Sequence, residues 1–243
     1  MRLGAAVALT LNCAIASMAC SGGLFKQYEY EEDVYLSLDG SATMYVNGSL
    51  AALNALRGAR FDTSPTARFS GDQVRRFFST PVTHVVSVNS SRRDNRRFAH
   101  VRLDVADIRQ LSAAAPFAWS QYHFALEDGL FAYRQTIGAA AGSEPPDVHW
   151  SGNEIVAFRL HLPSTIVDQP PGARHERGNI LVWEQPLSDR LEGRPLVLSA
   201  RIETQSILAR TLLLFGATAC AALAALAVVV WWIARRGANP AHI

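Results

Sequence analysis

The densest group of residues that could do chemistry in this 243-residue chain is a run of arginines beside a turn. Five of them lie within eleven residues: Arg92, Arg93, Arg96, Arg97 and Arg102. Guanidinium groups bind phosphate through paired hydrogen bonds, so this run could contact anionic lipid headgroups. A solvated hairpin tip would carry the same residues. Nucleic acid is not an expected partner, because no aromatic residues suited to base stacking interleave the arginines.

Histidines and carboxylates crowd the third quarter of the chain and provide one catalytic alternative. The residues concerned are His149, His161 and His175 with Asp147, Asp168 and Glu176. None of the seven histidines is paired at the spacing of a zinc-binding helix, and the chain has no Gly-x-Ser-x-Gly motif. We therefore expect no catalytic residue, no metal and no cofactor. A hydrolase or metal-dependent enzyme built on these histidines is the alternative.

Near the beginning, an acidic run consists of Glu29, Glu31, Glu32 and Asp33. Its spacing matches no calcium loop, and neighbouring like charges repel each other. We expect a solvated tether here, with cation binding or contact with a partner as the alternatives.

The N-terminal segment has the pattern of a secretory signal. Arg2 precedes an uncharged stretch from Leu3 to Phe25, whose apolar part gives way to small residues before Cys20. A signal peptide over residues 1–19, with Cys20 as the lipidated first residue of the mature protein, is the predicted arrangement. Ordinary cleavage after Ala19 and an uncleaved anchor remain as alternatives.

The C-terminal segment is typical of a transmembrane helix. Thr211–Ala234 is uncharged and would extend about 36 Å as a helix, enough to cross a bilayer. Trp231 and Trp232 would lie at the interface, and Arg235 and Arg236 would follow in the cytoplasm. The prediction is a helix over residues 207–234, a cytoplasmic tail over 235–243, and an exported domain on the other side of a bacterial cytoplasmic membrane.

Charge and cysteine usage fit this arrangement. Between Lys26 and Glu203 there are 19 basic and 21 acidic residues, a net charge of −2, so the basic excess belongs to the two apolar ends. Of the three cysteines, Cys13 falls in the signal and Cys220 in the span, which leaves only Cys20 for the exported part. No disulfide framework can therefore stabilise that domain.

Residues 20–206 are predicted to form a single α+β domain with a largely antiparallel sheet and about three short helices. Asp39-Gly40 and Asp128-Gly129 each join two β-rich stretches and predict hairpins. The small-residue stretch Gly138–Pro146 predicts a flexible loop and is the only credible internal boundary. Only Thr204, Gln205 and Ser206 separate the last strand from the apolar run, so the domain should lie close to the membrane.

The order of these elements resembles that of the LppM-type bacterial envelope lipoproteins. The shared features are a signal ending at Cys20, the Asp39-Gly40 hairpin, the Gly178-Asn179 turn into a strand with Trp183, and a C-terminal span before Arg235-Arg236. The resemblance implies an envelope-anchored, non-enzymatic α+β module, and lipid contact is the role proposed for members of that family. It transfers no functional residue beyond Cys20.

These observations lead to one functional interpretation: a membrane-anchored envelope protein whose extracytoplasmic domain binds or assembles something close to the membrane. Membrane lipid is the expected partner, and another envelope protein is the alternative partner. The sequence does not define an oligomeric state.

Overall fold

The computed structural model describes residues 26–64, 66–142, 148, 150–168 and 172–237. Cys20 and the predicted signal lie outside the described residues, as do His149, Asp147 and most of the predicted tail. The elements in chain order are β1 (Gln27–Leu36), β2 (Ala42–Ser49), α1 (Leu50–Arg57), α2 (Gly71–Phe78), β3 (Thr83–Arg93), β4 (Arg96–Val105), two 3-10 segments (Ile108–Ala113 and Ala115–Phe117), β5 (Ser120–Glu127), β6 (Leu130–Ile137), β7 (Glu154–His161), β8 (Ser164–Asp168), β9 (Arg174–Glu176), β10 (Ile180–Pro186), α3 (Leu187–Leu191), β11 (Leu196–Ser206) and α4 (Ile207–Gly237).

The fold class is α+β, as predicted, but the strands form two sheets. One has seven strands in the order β3-β4-β2-β1-β7-β10-β9, and the other has four in the order β5-β6-β11-β8. All strand pairs are antiparallel except β1 with β7, which are parallel. The short strands β8 and β9 and the helix α3 have too few residues for a clear periodic pattern, and the sequence did not indicate them.

Alternation of side chains builds the core between the two sheets. On β7, Val156, Phe158 and Leu160 are buried, whereas Arg159 and His161 face outward, as their spacing predicts. Helix α1 closes one side of this core. Its first turn is capped by Ser49, whose hydroxyl accepts from the Ala52 N–H at 3.0 Å, and Gly58 ends it with a positive φ of 68°.

A fully buried polar network lies inside this core. The Arg57 guanidinium, at the end of α1, donates to Glu32 and to the Tyr30 hydroxyl on β1. The rings of Phe117 and Trp119 lie 4.5 and 5.2 Å from the guanidinium carbon. Burial raises the pKa of Tyr30 well above its ordinary value, so its hydroxyl stays neutral in the network.

The described part of the predicted flexible loop is fixed to α1. Ala141 and Gly142 donate backbone hydrogen bonds, each 3.0 Å long, to the carbonyls of Leu56 and Ala55. An added Cβ on Gly142 would lie 1.9 Å from the Asn54 carbonyl oxygen, so this close approach requires glycine. Ala141 and Gly142 therefore satisfy two of the free carbonyls at the end of the helix.

Candidate membrane-proximal site

Helix α4 is the one helix among the described residues that is long and apolar enough to cross a membrane. Near its C-terminal end, Arg235 lies over the ring of Trp231 at 4.8 Å, and Arg236 lies over Trp232 at 3.8 Å. Both pairs have the four-residue spacing of neighbours on one helix face. The two tryptophans and two arginines predicted to anchor the span therefore form cation–π pairs, which suit a boundary between apolar and aqueous surroundings.

The junction between the domain and α4, defined as Gln205 to Arg210, contains no free linker. Thr204, Gln205 and Ser206, which the sequence suggested as a connection, belong to β11. The Ile207 N–H donates to the Pro163 carbonyl at 3.1 Å, and the Ser206 hydroxyl accepts from the Ala209 N–H at 3.0 Å. Strand and helix are thus hydrogen-bonded to each other and to the segment that follows β7.

Strand register defines which end of the seven-stranded sheet lies near this junction. His161, the last residue of β7, pairs with Tyr35 on β1 and lies two residues before Pro163. Tyr35 pairs in turn with Thr43 at the start of β2, beside the end of β4 at Val105. The junction end of the sheet therefore contains the C-terminal ends of β1, β4 and β7.

The tip of the β3–β4 hairpin, which we call the arginine hairpin (residues 92–97), lies at the opposite end. Nine residue steps along β4 separate Arg96 from Val105, or about 30 Å. Arg102 lies nearer the junction and is placed over Tyr45, with its guanidinium carbon 5.9 Å from the ring centroid. Of the five arginines that are close together in the sequence, four therefore lie at the hairpin tip, and Arg102 lies nearer the junction end of the sheet.

Most side chains of the arginine hairpin already contact the protein. Arg96 forms an ion pair with the buried Glu29, with 3.1 Å between Nε and Oε1, and Arg97 donates to the Ala67 carbonyl at 2.9 Å. Arg93 lies over Phe98 at 4.4 Å. Arg92 donates to Asn95 at 2.6 Å within the turn. These contacts do not test binding of headgroups, which stays a prediction for Arg92, Arg93, Arg96, Arg97 and Arg102.

The prediction of a solvated acidic tether at Glu29–Asp33 is wrong. These residues belong to β1, an interior strand of the seven-stranded sheet, and the side chains of Glu29 and Glu32 are fully buried. Glu31 and Asp33, on the outer face, share Arg159 at 2.8 and 3.2 Å. Each carboxylate of the run thus forms an ion pair with an arginine from a distant part of the chain. The charges of neighbouring residues in the sequence do not indicate these partners.

The two described histidines of the catalytic alternative do not meet. His161 is stacked on Tyr35 on the outer face of the sheet, with 3.8 Å between ring centroids. His175 pairs with Leu181 on β10, and the Leu181 side chain faces the core. Because paired residues of antiparallel strands share a face, His175 lies on the opposite face of the sheet from His161. Partial burial and the nearby Arg159 lower the pKa of His161. The part of the chain that the structure describes contains no group of three or more side chains placed to hold a metal ion.

A groove of about 620 Å³ lies on the outer face of the four-stranded sheet, and we call it the charged groove. The sequence does not indicate it, because the β5–β6 hairpin meets β8 and β11, which lie 27 or more residues further along the chain, only in the folded sheet. It is lined by the carboxylates of Glu127, Asp128 and Asp168, the guanidinium groups of Arg134 and Arg201, and the imidazole of His123. On β5, His123 pairs with Glu127 at 2.7 Å, and Arg201 approaches Asp128 at 3.6 Å.

Comparison with known proteins shows a weak resemblance at the level of the fold. No protein-family model matches the chain, and no curated protein matches it. The NMR structure of the folded domain of LppM from Mycobacterium tuberculosis is 12% identical, with a TM-score of 0.41 over 78% of this chain and 98% of that chain. A likeness this distant carries no argument about the activity of this protein.

Proposed function

We propose that this chain is a single-pass protein of a bacterial cytoplasmic membrane. Its α+β domain would be a binding or assembly module held close to the outer face of that membrane. The observation that carries the proposal is the junction. Because β11 ends at Ser206 and α4 begins at Ile207, no residue is left to act as a spacer.

The length and flanks of α4 support the proposed topology. The segment of 30 residues from Ile207 to Arg236 would be about 45 Å long, which matches the thickness of a bilayer with its headgroup layers. Arg235 and Arg236 lie at the end that would enter the cytoplasm, where positive residues near a span are retained. Lipidation of Cys20 would add a second anchor on the side of the domain.

Accessibility of single cysteines tests the topology. In full-length protein with Cys220 replaced by Ala, we would introduce Asp128→Cys in the domain and Pro240→Cys in the tail, and the Cys220→Ala protein alone would measure the background labelling of Cys20. A membrane-impermeant maleimide should label the first variant in intact spheroplasts and the second only after permeabilisation. Labelling of the tail cysteine in intact spheroplasts would refute the proposed topology.

Energy transfer to labelled lipid headgroups tests whether the domain lies on the membrane. Asp128, on the β5–β6 turn, and Asp94, at the tip of the arginine hairpin, are both exposed and would each receive one donor fluorophore. For the reconstituted full chain, we expect more efficient transfer from position 128 than from position 94. Equal or reversed efficiencies would contradict close attachment through the junction.

A further inference from the structure

Small residues create the charged groove. On its floor, Ala132 on β6 pairs with Arg201 on β11, and Ser199 on β11 pairs with Arg134 on β6. Neither Ala132 nor Ser199 has a side chain long enough to fill the space above the sheet. The longer side chains around them therefore form walls around an open volume that can hold a small molecule.

Two charges of opposite sign border this groove without a partner among the described residues. No carboxylate of those residues forms an ion pair with Arg134 on β6, and no cation of those residues forms one with Asp168 on β8. The Arg201 guanidinium has a weak partner only, because the Asp128 side chain, 3.6 Å away, is 92% exposed. The groove thus offers an available cationic side and an available anionic side.

Register places these two sides around one short segment of β11. Arg134 pairs with Ser199, and Asp168 pairs with Arg201, two residues further along the same strand. Since β11 lies between β6 and β8, Arg134 and Asp168 flank it from opposite sides. A ligand that satisfies both must carry its two charges a short distance apart.

We propose that the charged groove binds a small zwitterion in which a phosphodiester and a primary ammonium are joined by a short linker. The phosphodiester accepts hydrogen bonds from Arg134 and Arg201, because guanidinium groups match phosphate oxygens in paired geometry. The ammonium donates to the Asp168 carboxylate. An ammonium has three N–H donors for this purpose, whereas a quaternary choline has none.

This chemistry occurs in a phosphatidylethanolamine headgroup and in its free, deacylated form. Five residue steps, or about 17 Å of strand, separate Arg201 from Ser206 at the junction. In the proposed topology the groove would therefore open on the membrane-facing side of the domain, within about 17 Å of the start of α4, and the lipid form of the inference rests on the proposed function. Binding of the free form does not depend on topology.

Calorimetric titration of the purified full chain in non-ionic detergent tests the site. The probes are glycerophosphoethanolamine, which carries both charges, glycerophosphoglycerol, which has no ammonium, and ethanolamine, which has no phosphate. We expect the first to bind at least about tenfold more tightly than either of the others, because each charged contact contributes separately. Equal affinities for all three probes, or no binding, would overturn the proposal.

Variants assign the contacts within the groove. Arg134→Gln and Asp168→Asn should each weaken glycerophosphoethanolamine binding about tenfold or more, and Ala132→Phe should abolish it by filling the floor. Arg60→Gln is the matched control, since Arg60 is exposed and lies outside the groove. Unchanged binding in all three groove variants would place the ligand elsewhere and refute the assignment. Thermal unfolding of every variant verifies that loss of binding is not loss of fold.

Reconstitution in nanodiscs distinguishes the two sources of the ligand. Mixed discs of phosphatidylethanolamine and phosphatidylcholine would be treated with detergent, and the lipid retained by the protein would be identified by mass spectrometry. Enrichment of phosphatidylethanolamine that is lost in Asp168→Asn identifies a lipid ligand. Binding of glycerophosphoethanolamine without such enrichment identifies a free zwitterion. If the topology test fails while the titration succeeds, the site stands and only its lipid source is lost.

Discussion

Glu32 on β1 accepts a hydrogen bond from the Gln135 side-chain amide on β6 at 3.1 Å, and this bond joins the two sheets inside the core. The other carboxylate oxygen of Glu32 accepts from Arg57 on α1. A single buried carboxylate therefore connects both sheets with the helix. Because the side chains of Glu32 and Arg57 are fully buried, neither charge can turn to water when its partner is lost.

Removal of the cation from this network should destabilise the domain strongly. Arg57→Met is expected to lower the free energy of unfolding by about 3–5 kcal/mol, because it leaves a buried carboxylate without its counter-charge. Urea denaturation of the full chain in detergent, monitored by far-UV circular dichroism, measures the loss. Arg174→Met, on an exposed edge strand, should have little effect.

The double variant Arg57→Met/Glu32→Gln separates the cost of an unpaired charge from the cost of lost packing. It should be more stable than Arg57→Met alone, since position 32 then no longer carries a buried charge without a counter-charge. If the double variant were less stable than Arg57→Met alone, the unpaired charge of Glu32 would not be the main cause of the destabilisation.

Gly142→Ala should destabilise the domain by about 1–3 kcal/mol, the usual cost of forcing extra volume into a packed site. The added methyl group would collide with the Asn54 carbonyl oxygen and break the contact between residues 138–142 and α1. Gly152→Ala serves as the comparison, because its Cβ would meet no atom within 4 Å and only its positive φ would be strained. Similar thermal stability of Gly142→Ala and the wild type would disprove the close approach.

The stability contributed by His161 should depend on pH. Its pKa in the folded state is lowered, first by partial burial and then by Arg159, while the attraction of Glu176 opposes both. The unfolded chain therefore binds a proton more readily than the folded one, and stability falls as the pH drops below about 6.5. Between about pH 7.5 and about pH 5.5, His161→Gln should lose less Tm than the wild type does. An equal fall in Tm in the two proteins would show that His161 does not cause the pH dependence of stability.

Residues of the arginine hairpin should differ in their contribution to stability. Arg96→Ser removes the counter-charge of the buried Glu29 and is expected to cost about 3 kcal/mol. Arg92→Ser removes a contact within an exposed turn and should cost far less. Denaturant titration of the two variants checks this order. Any test of headgroup binding by the arginine hairpin should therefore use Arg92→Ser, which preserves the ion pair of Glu29, whereas Arg102→Ser tests the arginine nearer the junction.

The features that the sequence predicts correctly are those encoded by neighbouring residues. The hairpins at Asp39-Gly40 and Asp128-Gly129 and the apolar run of α4 each depend on residues that are adjacent in the chain. The Glu29 and Glu32 carboxylates were misinterpreted because their partners, Arg96, Arg57 and Gln135, are 25 to 103 positions away. The charged groove was missed for the same reason, since it exists only once β6, β11 and β8 lie in register.

The junction also determines how the domain moves. Since β11 is hydrogen-bonded to β6 and β8 and continues into α4 without a spacer, the proposed span and the domain should turn as one body. Transmembrane helices tilt by about 20° on average. Acting as a lever arm of about 30 Å, the seven-stranded sheet would convert such a tilt into a displacement of about 10 Å at the arginine hairpin. A change in bilayer thickness that alters the tilt of α4 would thereby be amplified at the far end of the molecule.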